Sequence, residues 1–131
     1  MSYIHKELDS LLISGRIDEA ESLIFTTTQS LADSAGAMLS EGNYKGALDT
    51  YINCIELMRK YYNENIDFAE LKLCISEIHA LLKDYPSAIS EISEAISIYE
   101  NQLNPDHQCL KEAREILYNL ESESAKSKTT Y

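Results

Sequence analysis

One corner is written twice in this chain. The stretch LSEGNYKGALDTYINCIEL, Leu39 to Leu57, returns as LLKDYPSAISEISEAISIY, Leu81 to Tyr99, and in both a Tyr is followed three residues later by an Ala within a helical apolar pattern. A helical hairpin cannot bury its own apolar side, whereas stacked hairpins can, so a repeated corner restricts the chain to folds in which hairpin packs on hairpin. The repeated Ala has a steric reason. Where two helix axes cross closely only a small residue fits, and larger neighbours wedge into the grooves. Ala47 and Ala88 occupy that place.

The apolar spacing predicts seven helices and no strand. Ile4, Leu8, Leu11 and Leu12 mark the first, which Gly15 can end in a left-handed conformation. Asp18, Glu19 and Glu21 crowd the start of the second, where the helix dipole favours anions, and Ala20, Leu23 and Ile24 give it an apolar side. The β-branched run Thr26, Thr27, Thr28 is expected to close it. The third runs from about Ser30 to Ser40, with Leu31, Ala35, Met38 and Leu39 inward and Gly42 as terminator. Asn43 starts the fourth, whose stripe of Tyr44, Ala47, Leu48, Tyr51, Cys54, Ile55, Met58 and Tyr62 is wide enough for two neighbours. After an interruption at Asn63 to Asp67, a fifth helix spans Phe68 to Lys83 and a sixth starts at Pro86. The sixth stops at Asn104-Pro105, where Asn can cap and Pro can open a seventh carrying Leu110, Ala113, Ile116, Leu117 and Leu120. Such short turns imply antiparallel hairpins. Residues 1–121 are expected as a single domain, and SESAKSKTTY, from Ser122 on, has no apolar face and reads as a disordered tail.

Composition agrees with this all-α expectation and narrows the partners. The 131 residues include only four Gly and two Pro, too little turn chemistry for an all-β fold. The net charge of −11 repels phosphate backbones and anionic headgroups, which disfavours nucleic acid and membranes and favours basic or amphipathic peptides. Cys54, Cys74 and Cys109 form no CxxC pair and are odd in number, a poor disulfide framework. The N-terminus MSYIHKELDSLLISGR is charged every few residues, without a signal-peptide core or an apolar run of about 18. A reducing, cytoplasmic compartment is expected.

With Leu31, Ala35, Met38, Gly42, Tyr44, Ala47, Tyr51 and Cys54 in place, the middle unit resembles the tetratricopeptide repeat family. A third unit matches through Ile75, Ser76, His79, Tyr85, Ala88, Ile92 and Ala95, with Lys83 replacing the turn Gly and Lys72 standing where a large apolar residue is usual. A looser first unit has Ile4, Leu8, Leu11, Gly15, Ile17, Ala20 and Ile24. The steps depart from the family's usual length of about 34: Gly15 to Gly42 is 27 residues and Tyr44 to Tyr85 is 41. The long step, with IYENQLNPDHQ from Ile98 to Gln108, is similar to kinesin-light-chain-type repeats. The resemblance implies an array of about three antiparallel hairpins with a C-terminal capping helix. It also implies a partner-binding concave face at His5, Asp9, Leu12, Gln29, Ala32, Gly36, Leu39, Glu70, Leu73, Glu77 and Ala80. That lining is apolar and acidic. It lacks the Lys, Arg and Asn with which relatives clamp acidic chaperone tails, so a co-chaperone role of that type is not expected.

Chemistry is sparse. His5, His79 and His107 have no Cys, Asp or Glu at repeated ligand spacing, and DHQC, Asp106 to Cys109, reads as a helix-start turn rather than a metal or thiol site. No phosphate-binding Gly loop, nucleophile elbow or HExxH occurs, so no enzyme, cofactor or metal is expected. The function implied is a non-catalytic interaction module, an adaptor or chaperone that holds an apolar and basic segment of a partner protein. Its more specific version is similar to the small chaperones of type III secretion. The alternative is a structural subunit of a larger assembly, completed by repeats of other chains or by a homo-oligomer.

Overall fold

The computed structural model describes residues 2–61 and 66–129. They form six helices, α1 (Ser2–Ile13), α2 (Ile17–Ser40), α3 (Tyr44–Tyr61), α4 (Ile66–Leu81), α5 (Tyr85–Gln102) and α6 (Gln108–Thr129), with no strand among the described residues. The fold is all-α, built of packed helical hairpins in a repeat-like succession. Where one domain over 1–121 is expected, the chain divides into two compact units, Met1–Asn63 and Glu64–Tyr131. The inward positions expected of Ile4 and Tyr62 lie outside the described side chains, as does most of the interruption after residue 61.

Three turns are copies of one another. Gly15, Gly42 and Lys83 have φ of 76°, 82° and 62°. In each turn that residue's N–H donates to the carbonyl three back, Leu12, Leu39 or Ala80, at 3.0 to 3.1 Å. The next N–H, from Arg16, Asn43 or Asp84, donates at 2.8 Å to Leu11, Met38 or His79. This double closure satisfies carbonyls that a helix end leaves orphaned. At one fixed offset beyond each turn stand Ala20, Ala47 and Ala88, all 0% exposed, so the small residue is at a helix crossing each time. Ala95 and Tyr51, farther along their helices, are buried as well, while Tyr44 and Tyr85 are half-buried at the turns. In the last corner the hydroxyl of Ser76, facing Ala88, donates to its carbonyl at 2.8 Å.

Lys83 adopts the conformation that Gly adopts in the other two turns, and a Cβ there is strained. Lys83→Gly should therefore raise stability by about 1 kcal/mol, and Gly42→Ala should lower it by about 1–2 kcal/mol. Thermal unfolding of both variants checks this, and a lower melting temperature for Lys83→Gly would contradict it.

The expected second and third helices are one. α2 is continuous for 24 residues because Thr26 to Thr28 do not break it. The Thr26 hydroxyl donates to the Ser22 carbonyl at 3.0 Å and that of Thr28 to the Phe25 carbonyl at 3.0 Å, so the β-branched run is accommodated inside the helix. One helix thus serves two corners. Its first half packs Ala20 and Ile24 with Leu8 of α1 and Leu57 of α3, and its second half buries Ala35. The missing turn shortens the first step to 27 residues.

α6 also differs from expectation at both ends. It starts at Gln108 rather than at Pro105, and His107 precedes it, accepting the Cys109 N–H on its ring Nδ1 at 3.1 Å. It continues through Ser122 to Thr129, where a disordered tail is expected. No apolar face is needed to extend an existing helix; Glu, Ala and Lys favour it, and Lys126 pairs with Glu123 at 3.4 Å.

The third departure is Lys72, which stands where the repeat resemblance expects a large apolar residue and is only 5% exposed. Its ammonium lies 2.7 Å from Glu94 and 3.0 Å from Glu91, both on α5, and 5.5 Å from the Phe68 ring centroid. Burial alone would lower its pKa, but hydrogen bonds to Glu94 and then Glu91 outweigh it and hold the value above 10.5. Tyr99 is pushed from 10.0 up to about 12, chiefly by burial and then by the charge of Glu70. Both groups have a folded pKa above the unfolded one. Their contribution is complete below about pH 10 and is lost as pH rises through the folded values. The Glu64–Tyr131 unit should therefore weaken between about pH 10 and 12. A chemical-denaturation midpoint that stays flat over that window in this unit would contradict it.

Candidate interaction groove

α5 packs on α4 and on α6, and the loops joining them are short, so α4 and α6 flank α5 and run in the same direction. Between these two walls lies a groove of about 460 Å³. α4 contributes Glu77, Ala80 and Leu81, and α6 contributes Ile116, Asn119, Leu120 and Glu123; Tyr85 at the start of α5 completes the lining. The spacing of three, four and seven along α6 puts its set on one helix side, next to Leu110 and Ala113, which are buried. Leu81 is exposed and Ile116 half-buried, so apolar surface is open to water here.

The groove has an acidic edge on each wall. Glu70 and Glu77 are about two turns apart on α4, and Glu112 and Glu123 about three turns apart on α6, so each pair falls on one stripe. Glu70 and Glu112 also act on the same buried Tyr99 hydroxyl from α4 and α6, as do Cys74 and Cys109. Carboxylates at such places repel anions and attract Lys or Arg.

Each position expected on a binding face can be located within its own unit. Glu77 and Ala80 line the α4/α6 groove, and Glu70 and half-buried Leu73 lie farther back along α4. His5 and Asp9 meet at one cation, since Lys60 Nζ is 3.3 Å from His5 Nδ1 and 3.8 Å from an Asp9 oxygen. Leu12 and Gln29 are exposed, and Ala32, Gly36 and Leu39 are half-buried along α2. The sequence pattern missed the α6 wall. Ile116 and Leu120 are legible only as one side of a cap and Glu123 falls in the expected tail, although Glu112 and Glu123 bracketing an apolar stripe is a usable signal.

A second cleft, of about 570 Å³, lies between α1 and α2. Its Leu11 and Leu23 are surrounded by Glu7, Ser10, Ser22 and Thr26, and its cation Arg16 is already paired with Glu19. It offers less open apolar surface than the α4/α6 groove. Among the described residues no three His, Cys, Asp or Glu are grouped as a metal ion would need, and no helix is long and apolar enough to cross a membrane. No disulfide joins Cys54, Cys74 and Cys109.

No protein-family model and no curated protein sequence matches this chain.

Proposed function

We propose that this protein is a non-catalytic interaction module of tetratricopeptide-like construction, a small acidic adaptor or chaperone in a reducing, cytoplasmic setting. Its partner presents an apolar segment with basic residues. The observation that carries this is the α4/α6 groove, open apolar surface edged by carboxylates on both walls. Apolar contact would supply affinity, and opposite charge would speed encounter and reject acidic competitors. The three congruent turns support the repeat assignment. The dedicated chaperones of type III secretion are the specific version of this reading.

The test uses the partner recovered with the protein from its native host. Glu77→Lys with Glu123→Lys should slow association by about tenfold or more at low salt, with the difference shrinking as salt screens the charges. Leu81→Asp should weaken the complex at every salt concentration, because a charge then enters a desolvated contact. Unchanged rate and affinity in both folded variants would place the contact elsewhere.

A second reading, a structural subunit of a larger assembly, is favoured by one observation. In the Met1–Asn63 unit Ile13 is 88% and Phe25 65% exposed, with Ile17 also open, surface that a neighbouring chain could cover. Serine at all three positions would leave partner binding through the groove intact but would release the protein from such an assembly, as read by size-exclusion chromatography of native extract.

A further inference from the structure

We propose that the segment received by the α4/α6 groove is an amphipathic α-helix with Lys or Arg on both flanks of its apolar stripe, rather than an extended strand. This rests on reading the groove as the binding site and specifies what fits it. Hydrogen-bonding capacity separates the two. A bound extended chain carries an unpaired N–H and C=O at every residue, and each must find a partner or lose free energy on desolvation. The walls cannot supply those partners. Along both helices the backbone groups are engaged internally, and at the end of α4 the turn N–H groups of Leu82, Asp84 and Lys83 take the Ile78, His79 and Ala80 carbonyls, so side chains must answer most of the demand.

Those side chains are poorly suited to an extended backbone. Ala80, Leu81, Ile116 and Leu120 have no hydrogen-bonding atoms, and Glu77 and Glu123 as carboxylates only accept. Among the described lining residues Asn119 is the single amide, and the Tyr85 hydroxyl the single neutral polar group beside it. A helix brings its backbone already satisfied and asks of the groove only apolar contact along one stripe and carboxylates at the edges. The walls offer that combination: two parallel helices with an apolar trough between them and one acidic stripe on each, Glu70 with Glu77 and Glu112 with Glu123. A helix laid in the trough would touch α4 and α6 as α5 does from the other side, and its flanking cations would face both stripes.

Three synthetic peptides test this against the full-length protein. The first is about four turns long, with Leu at i, i+4, i+7 and i+11 and Lys on the flanks of that stripe. The second has the same composition with Pro at two central positions, which prevents the helix, and the third replaces every Lys with Glu. Fluorescence anisotropy gives affinity, and far-UV circular dichroism of the mixture reports helix gained on binding. The expected result is binding of the first peptide with a gain of helix, a loss of at least about tenfold for the Pro peptide and no binding of the Glu peptide. Leu81→Asp should abolish the interaction, and Phe25→Ser should leave it unchanged. Equal binding of helical and Pro peptides, both lost in Leu81→Asp, would overturn the helix inference while the groove stands as the site. Binding of the helical peptide untouched by Leu81→Asp would overturn the groove itself. No binding of any peptide would overturn the helix inference, with the groove then judged by the native partner's response to Leu81→Asp.

Discussion

Replacing Glu91 and Glu94 together with Ala should cost the Glu64–Tyr131 unit about 3–5 kcal/mol, because it strands the buried Lys72 ammonium without a counter-charge. The lower end is expected, since Glu94 is 54% exposed and water already screens part of its attraction. Lys72→Met is the informative partner experiment. It removes the charge and restores an apolar residue at a repeat position, leaving Glu91 and Glu94 to turn toward solvent, and should be neutral or stabilising. Denaturant unfolding of both variants reads the difference. If the Glu91→Ala, Glu94→Ala protein unfolds at the wild-type midpoint, Lys72 is not held as the geometry indicates.

Removal of α6, by ending the chain before Asp106, should have a comparable or larger effect. Leu110, Ala113 and Leu120 are buried in this helix, and each Leu alone is worth about 1.5–3 kcal/mol. Its loss would also bare the α5 side now covered by it, so the truncated protein should aggregate or self-associate. Sedimentation and thermal unfolding decide: a monomer that melts as the parent does would show that α6 covers nothing.

How much of this the sequence disclosed depends on whether a feature is set locally. The corners are legible because turn residue and Ala recur at one offset in all three, with Tyr44 and Tyr85 two places past the turn in the last two and Ile17 in the first; Lys83 in place of Gly does not obscure the third, since its neighbours Asp84, Tyr85 and Ala88 keep the register. The sequence pattern divides α2 because three Thr in a row look like a terminator, whereas the hydroxyls of Thr26 and Thr28 bond back to the preceding turn. The start of α6 is not legible because Asn-Pro is a common opening, and here the cap is the ring of His107. Lys72 stood out as a departure from the repeat, but its partners, a helix away at Glu91 and Glu94, follow only from packing. The groove was half legible. Glu77 and Ala80 follow from the repeat resemblance, while the opposing wall requires knowing that α6 lies parallel to α4.

The central claim is that the α4/α6 groove is the surface that receives a partner. The most direct measurement is methyl NMR of the intact protein titrated with the Leu- and Lys-bearing helical peptide. Saturable shifts are expected at Ala80, Leu81, Ile116 and Leu120, with Leu11, Ile13 and Leu23 of the other unit unmoved. Shifts confined to the Met1–Asn63 unit, or a uniform small drift that salt removes, would contradict it.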